Sequence, residues 1–212
     1  MGLVAAPADI SSAAFFLVGA SIASEASVTL ANVGLNPTRT GVIEILRRMG
    51  ASIDIDVEQT DAGEPVGTIT VEPAPLQGID IPLELVPLAI DEFPAIFVAA
   101  ACARGETVLR GAEELRVKES DRIAVMAEGL AELGIEVYPQ PDGIRIIGGQ
   151  LRGGHVRARG DHRIAMSFAM AALAADGPVV IDDCAEVDTS FPGFVELAHR
   201  TGLAIRAEEV PS

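Results

Sequence analysis

The sequence predicts a mixed α/β (α+β) fold: one domain of βαβαββ units repeated around a pseudo-threefold axis, with buried central helices covered by strands and amphipathic helices. Three observations carry this. First, the stretches "DISSAAFFLVGASIASEASVTL", "DEFPAIFVAAACARGETVL" and "DHRIAMSFAMAALAADGPVVI" are alike. Each opens on an aspartate (Asp9, Asp91, Asp161), runs on as an apolar segment of small residues, breaks, and enters a short run rich in β-branched residues. Second, each copy continues into a segment apolar on one face only. Third, those segments end at Gly50, Gly134 and Gly202, where a glycine suits the left-handed position that closes a helix.

The elements follow in order. The segment after Asp9 is apolar nearly all round, as a helix buried on every side must be. Val28 to Leu30 is the strand that leaves it. In 41–49, Val42, Ile45, Leu46 and Met49 form a stripe while Glu44, Arg47 and Arg48 face away. Ser52–Val57 and Thr68–Val71 then form a hairpin around the loop "EQTDAGEPVG". The second copy repeats this with a central helix after Asp91, a strand at Thr107 to Leu109 and a one-faced helix from Lys118. Its hairpin joins Glu136–Pro139 to Ile144–Ile147 through the turn-forming "QPDG". The third copy has its central helix after Asp161, a strand at Val179 to Ile181, a one-faced helix in 189–201 and a strand at Leu203 to Arg206. The repeats cover about 9–75, 80–150 and 155–207, within a single domain spanning 1–212. The tail "AEEVPS" reads as frayed.

Composition narrows the functional classes. A net charge of -16 argues against nonspecific partnership with nucleic acid or an anionic membrane. No apolar run is long enough to span a bilayer, and no basic, then apolar, leader opens the chain. Cys102 and Cys184 lack metal-ligand spacing and read as reduced thiols of a cytoplasmic protein. No Gly-rich phosphate loop, nucleophile elbow or zinc helix is present. His155 and His199 have no ligand-like companions, and His199 reads as a surface residue.

Parallel central helices bring their N-termini to one end of the domain, where unpaired N–H groups and dipoles favour anions. Cations at those mouths are therefore unexpected. Yet Lys118, the only lysine, and Arg122 open the second one-faced helix; His162 and Arg163 open the third central helix; Arg39 precedes the first one-faced helix. Local explanations exist: Lys118 or Arg122 can pair with Glu119 or Asp121, and Arg163 with Asp161, while Asp9 with Ser11 and Ser12 reads as a plain N-cap. Their recurrence favours one shared anionic ligand, a phosphate or carboxylate. Asp91, Glu92 and Glu119 add candidates for acid–base work.

The segments "ISSAAFFLVGA", "NVGLNPTRTG", "LRVKESDRIAVMAEGL", "GDHRIAMSFAMAALAA" and "TSFPGFVEL" together resemble the 5-enolpyruvylshikimate-3-phosphate synthase family, also called 3-phosphoshikimate 1-carboxyvinyltransferases. The resemblance implies an enolpyruvyl-transferase type fold and a reaction that joins phosphoenolpyruvate to the 5-hydroxyl of shikimate 3-phosphate, releasing phosphate. It implies no metal and no organic cofactor. By the same resemblance Asp91 is the proton acceptor at the 5-hydroxyl, Glu119 the proton donor to the methylene, and Lys118 a catalytic and substrate contact. Arg122 and Arg163 hold phosphoenolpyruvate, and His162 lines that site. The family has two similar domains, and this chain matches the C-terminal one. The expectation is thus a fragment, inactive alone, whose natural partner is the missing N-terminal domain. Alternatives are a noncatalytic small-anion-binding module, or a relative of UDP-N-acetylglucosamine enolpyruvyl transferase, which works through a reactive loop cysteine. Two departures from the family pattern are Ala8, where a glycine is usual, and Thr189, where some members carry a phosphate-binding lysine.

Overall fold

The computed structural model describes residues 2–5, 9–24, 27–59 and 65–208. The Pro7–Ala8 turn, loop residues 60–64 and the end of the tail, 209–212, lie outside the described residues. The first unit comprises β1 (Gly2–Ala5), α1 (Ile10–Ile22), β2 (Val28–Gly34), α2 (Gly41–Arg48), β3 (Ser52–Gln59) and β4 (Pro65–Glu72). The second comprises α3 (Phe93–Cys102), β5 (Glu106–Leu109), α4 (Arg122–Glu132), β6 (Glu136–Gln140) and β7 (Gly143–Ile147). The third comprises β8 (Gly154–Arg157), α5 (His162–Ala171), β9 (Val179–Asp182), α6 (Glu186–Ser190) and α7 (Phe194–Arg200).

Each unit builds its own sheet, and the threefold repeat is visible in the pairing. Strand one lies parallel to strand two: β1 with β2, and β8 with β9. The second unit keeps only a trace of this, with parallel bridges from Gln77 to Arg104 and from Asp80 to Val108. The closing hairpin pairs antiparallel and adds its last strand to strand two, giving the orders β1-β2-β4-β3 and β5-β7-β6.

The central helices α1, α3 and α5 pack together at the centre. Ala13, Ala14, Leu17 and Val18 of α1, Ile96 to Ala101 of α3, and Ile164 and Phe168 of α5 are all buried. Small residues let the helices approach closely: a Cβ on Gly19 of α1 would stand 2.8 Å from Met170 Sδ of α5. In α2, Val42, Ile45 and Leu46 face the core, with Met49 beyond its end, while Glu44, Arg47 and Arg48 are exposed. The closing glycines behave alike. Gly50, Gly134 and Gly202 have φ of 92°, 84° and 98°, and the next residue donates to a carbonyl five positions back (Ala51 to Leu46, Ile135 to Leu130, Leu203 to Ala198). Phe191 and Phe194 close the ring of units on Phe15 and Phe16 of α1, with centroids 5.9 to 6.5 Å apart. Among the described residues no helix is long and apolar enough to cross a membrane.

Three expectations change. The third one-faced helix is two pieces, because Gly193 turns left-handed (φ 81°) after Pro192 and separates α6 from α7. Leu203 to Arg206 is not a strand. Its counterparts β3 and β6 are edge strands bonded only to β4 and β7, and among the described residues the third unit offers no such partner. Lys118 does not open a helix: α4 starts at Arg122, and Lys118 follows a 3-10 turn at Glu113–Val117.

Candidate active site

The mouths of the three central helices meet at one place. Ser11 Oγ, in the first turn of α1, donates to Glu92 Oε1, just before α3, at 2.5 Å. Arg163, in the first turn of α5, donates from Nη1 to the Asp91 carbonyl at 3.2 Å and lies 3.7 Å from Glu92 Oε1. Asp9 caps α1 through the Ser11 N–H, and Asp161 caps α5 through the N–H groups of Arg163 (3.0 Å) and Ile164 (3.4 Å). The α3 mouth has no side-chain cap; a 3-10 turn at Ile90–Glu92 leads into it, with Pro94 in its first turn.

The second one-faced helix brings its cations to the same spot. Asp121 caps α4 through the Ala124 N–H at 2.9 Å, so the chain before it is free to bend back. Lys118 Nζ and Arg122 Nη1 then both reach Asp91 Oδ1, at 3.2 and 3.3 Å. Lys118 also meets Glu114 Oε1 at 2.5 Å. Arg122 is the largest fully buried side chain, 1% exposed. Three carboxylates surround it: Asp161 Oδ2 on Nε (2.9 Å), Asp91 Oδ1 on Nη1, and Glu119 Oε2 on Nη2 (2.5 Å). Ser120 Oγ donates to the same Asp161 oxygen at 3.1 Å. A charge so buried is tolerated only when paired on every side.

The local pairings foreseen from spacing hold in part. Glu119 does pair with Arg122. Asp161 serves Arg122 and the α5 backbone, while the Arg163 side chain turns to Asp91 and Glu92. Lys118 takes Glu114 and Asp91, and Asp121 pairs with Arg116 at 2.7 Å. Arg39 lies 3.7 Å from Asp9, with both side chains about half exposed. Away from this end, His155 pairs with Asp182 across β8 and β9, and His199 is exposed.

The charges set distinct acidities. Burial works to raise the Asp91 pKa, but the hydrogen bond from Lys118 and the charges of Arg163, Lys118 and Arg122 outweigh it and leave it below the usual carboxylate value. Glu92 is pushed up by burial, against the Ser11 hydrogen bond and the Arg163 charge. The Glu114 hydrogen bond raises Lys118 against partial burial, with Asp91 adding to it. Burial, then the Arg163 charge, lowers His162, so its ring is neutral at pH 7. The result is an ionised acceptor, Asp91, ringed by Lys118, Arg122 and Arg163, with Glu119 half exposed beside it. Such a group can bind an anion and move a proton at one centre. Among the described residues no three His, Cys, Asp or Glu side chains gather so as to hold a metal ion.

Sequence reasoning missed two members of this cluster. Asp161 was visible as a cap, but its bond to Arg122 spans 39 residues and has no local signal. Glu114 stands four residues before Lys118, a spacing that could have flagged it.

Residues 3–197 match the family model described as EPSP synthase (3-phosphoshikimate 1-carboxyvinyltransferase). The chain is 64% identical over 205 residues to the 3-phosphoshikimate 1-carboxyvinyltransferase of Alkalilimnicola ehrlichii, and 64% over 204 residues to that of Nitrosococcus oceani. Each alignment covers 96% of this chain and 46% of the relative, so the chain spans about half the length of the curated relatives it matches. EPSP synthase from Acinetobacter baumannii superposes with a TM-score of 0.90 at 55% identity, over 94% of this chain and 47% of that one. The enolpyruvyl transferase NikO from Streptomyces tendae shares the fold, with a TM-score of 0.76 at 20% identity, over 95% of this chain and 44% of its own.

Proposed function

The chain belongs to the EPSP synthase family, and from that premise we propose that it forms one wall of a cleft in which phosphoenolpyruvate is joined to the 5-hydroxyl of shikimate 3-phosphate with release of phosphate. The observation that carries this reading is the convergence of Lys118, Arg122 and Arg163 on Asp91, where three helix mouths meet. Two anionic substrates need such a cation cluster, and the chemistry needs a carboxylate within it.

In the proposed mechanism Asp91 accepts the proton of the attacking hydroxyl as its oxygen bonds to C2 of phosphoenolpyruvate. Glu119, once it has taken a proton from solvent, delivers it to the methylene carbon and turns it into a methyl group, while Arg122 keeps Asp91 and Asp161 as partners. The tetrahedral adduct then loses phosphate by C–O cleavage and gives a methyl proton back, restoring the enol ether. A lowered pKa suits Asp91, because it is ionised and ready to accept. Lys118, Arg122 and Arg163 stabilise the charges of the two substrates, and neutral His162 lines the site without adding to them. Arg122 enters this role already held by three carboxylates, so it acts as a fixed charge behind Asp91 more than as a mobile clamp.

The remaining half of the relatives' length supplies the opposite wall, and the setting is the cytoplasm. Alone, this chain releases no phosphate from the two substrates. Mixed with the complementary N-terminal domain of a relative, it does, and Asp91→Asn lowers that rate at least 100-fold, on the order expected for a general base. Turnover by the chain alone, or full activity of the Asp91→Asn mixture, would refute this assignment.

A further inference from the structure

Glu114 plays no part in the mechanism above, yet its carboxylate makes the shorter of the two contacts to Lys118: 2.5 Å against 3.2 Å for Asp91. We propose that Glu114 is a specificity-determining residue: it competes for Lys118, so that this cation accepts doubly charged phosphate groups and turns away singly charged carboxylates. The inference rests on the reading of Lys118 as an anion contact and adds to it the class of anion admitted.

Glu114 is tethered four residues from Lys118, so its effective concentration there is far above that of a dilute solute. A free carboxylate brings the same single charge and gains nothing by replacing it. A phosphate monoester brings about -1.5 to -2 at neutral pH and three strong acceptor oxygens. Glu114 can still be displaced: its side chain is 61% exposed, against 21% for Lys118, so leaving the pair returns the carboxylate to water at little cost. The displaced carboxylate also has somewhere to go. Glu114 lines an open cavity of about 560 Å³ beside Val86, Ile90, Gly111 and Val117. Asp91 cannot serve the same purpose, since it is shared between Lys118 and the immobile guanidinium of Arg122.

Lys118 is the only lysine, so a chain grown on 13C,15N-labelled lysine carries a single reporter at the site. Its side-chain signal is followed as inorganic phosphate or acetate is added at constant ionic strength, in wild type, Glu114→Gln and Glu113→Gln. The last changes the net charge equally without touching Lys118's partner. Wild type and Glu113→Gln are expected to respond to phosphate and not to acetate. In Glu114→Gln the phosphate midpoint falls about five-fold (~1 kcal/mol), an acetate response appears, and the Lys118 titration moves down. An unchanged phosphate-to-acetate preference in Glu114→Gln, or weaker phosphate binding, overturns the inference while leaving Lys118 as an anion contact. No response to either anion in any of the three chains removes that contact, and the inference with it.

Discussion

Asp91 and Glu92 stand side by side at the mouth of α3, and their surroundings push their acidities in opposite directions. Asp91 has lost some hydration but faces Lys118, Arg122 and Arg163, and its folded pKa lies below the usual 3.8. Its ionised form therefore stabilises the fold above about pH 3.8, and that contribution is lost as pH falls through the lower folded value. Glu92 is 5% exposed, and burial lifts it above 4.5. Its protonated form is the favoured one, so its contribution is present below about 4.5 and lost as pH rises through the folded value. The two substitutions should diverge in thermal melts between pH 3 and pH 7. Glu92→Gln gains on wild type as pH rises, and Asp91→Asn loses on it. Parallel curves would mean that Arg163 neutralises both carboxylates equally. Arg122 follows another rule, because its buried pairs contribute little net stability, whereas removing one partner leaves a buried charge exposed to its full desolvation cost.

At the level of elements, packing is decided where backbone meets backbone. Gly148 and Gly149 follow β7; Gly148 donates its N–H to the Gly105 carbonyl just before β5, and Gly149 to the Ala101 carbonyl in the last turn of α3, each at 2.9 Å. A Cβ on Gly148 would stand 1.8 Å from the Ala103 carbonyl oxygen, whereas one on Gly149 would meet only Ile135 Cδ1 at 3.7 Å. Gly148→Ala should therefore destabilise by about 1–3 kcal/mol or more, and its neighbour Gly149→Ala by under about 0.5 kcal/mol, in urea denaturation. Equal effects would mean that the strand end yields. The elements themselves were largely legible. Apolar periodicity told buried helices from one-faced ones, and the closing glycines marked each end. What failed were boundaries set by competition: Asp121 outbid Lys118 as the start of α4, and Leu203 to Arg206 lacked the neighbour a strand requires. In the candidate site, Lys118, Arg122 and Arg163 stood out as misplaced charges. The bonds that organise them, Asp161 to Arg122 and Arg163 to Asp91, join residues 39 and 72 apart and leave no trace in local pattern.

Across the whole molecule, the repeat explains why the cations gather. Three units related by rotation point their helix mouths at one end, so Arg163 from the α5 mouth and Lys118 and Arg122 from the segment that opens α4 gather on Asp91 at the α3 mouth without any long-range signal in the chain. A net charge of -16 surrounds that cluster, and beyond about 10 Å salt screens most of the repulsion it exerts on an incoming anion. The third unit closes the ring by pressing Phe191 and Phe194 against Phe15 and Phe16. This contact links the two ends of the described chain in time as well as in space. Opening α7 uncovers the aromatic face of α1, so α1 loses part of its packing whenever α7 opens. Backbone amides of α1 and α7 should thus exchange with deuterium at linked rates, and Phe194→Ala should speed both while leaving the amides of β6 and β7 at their original pace.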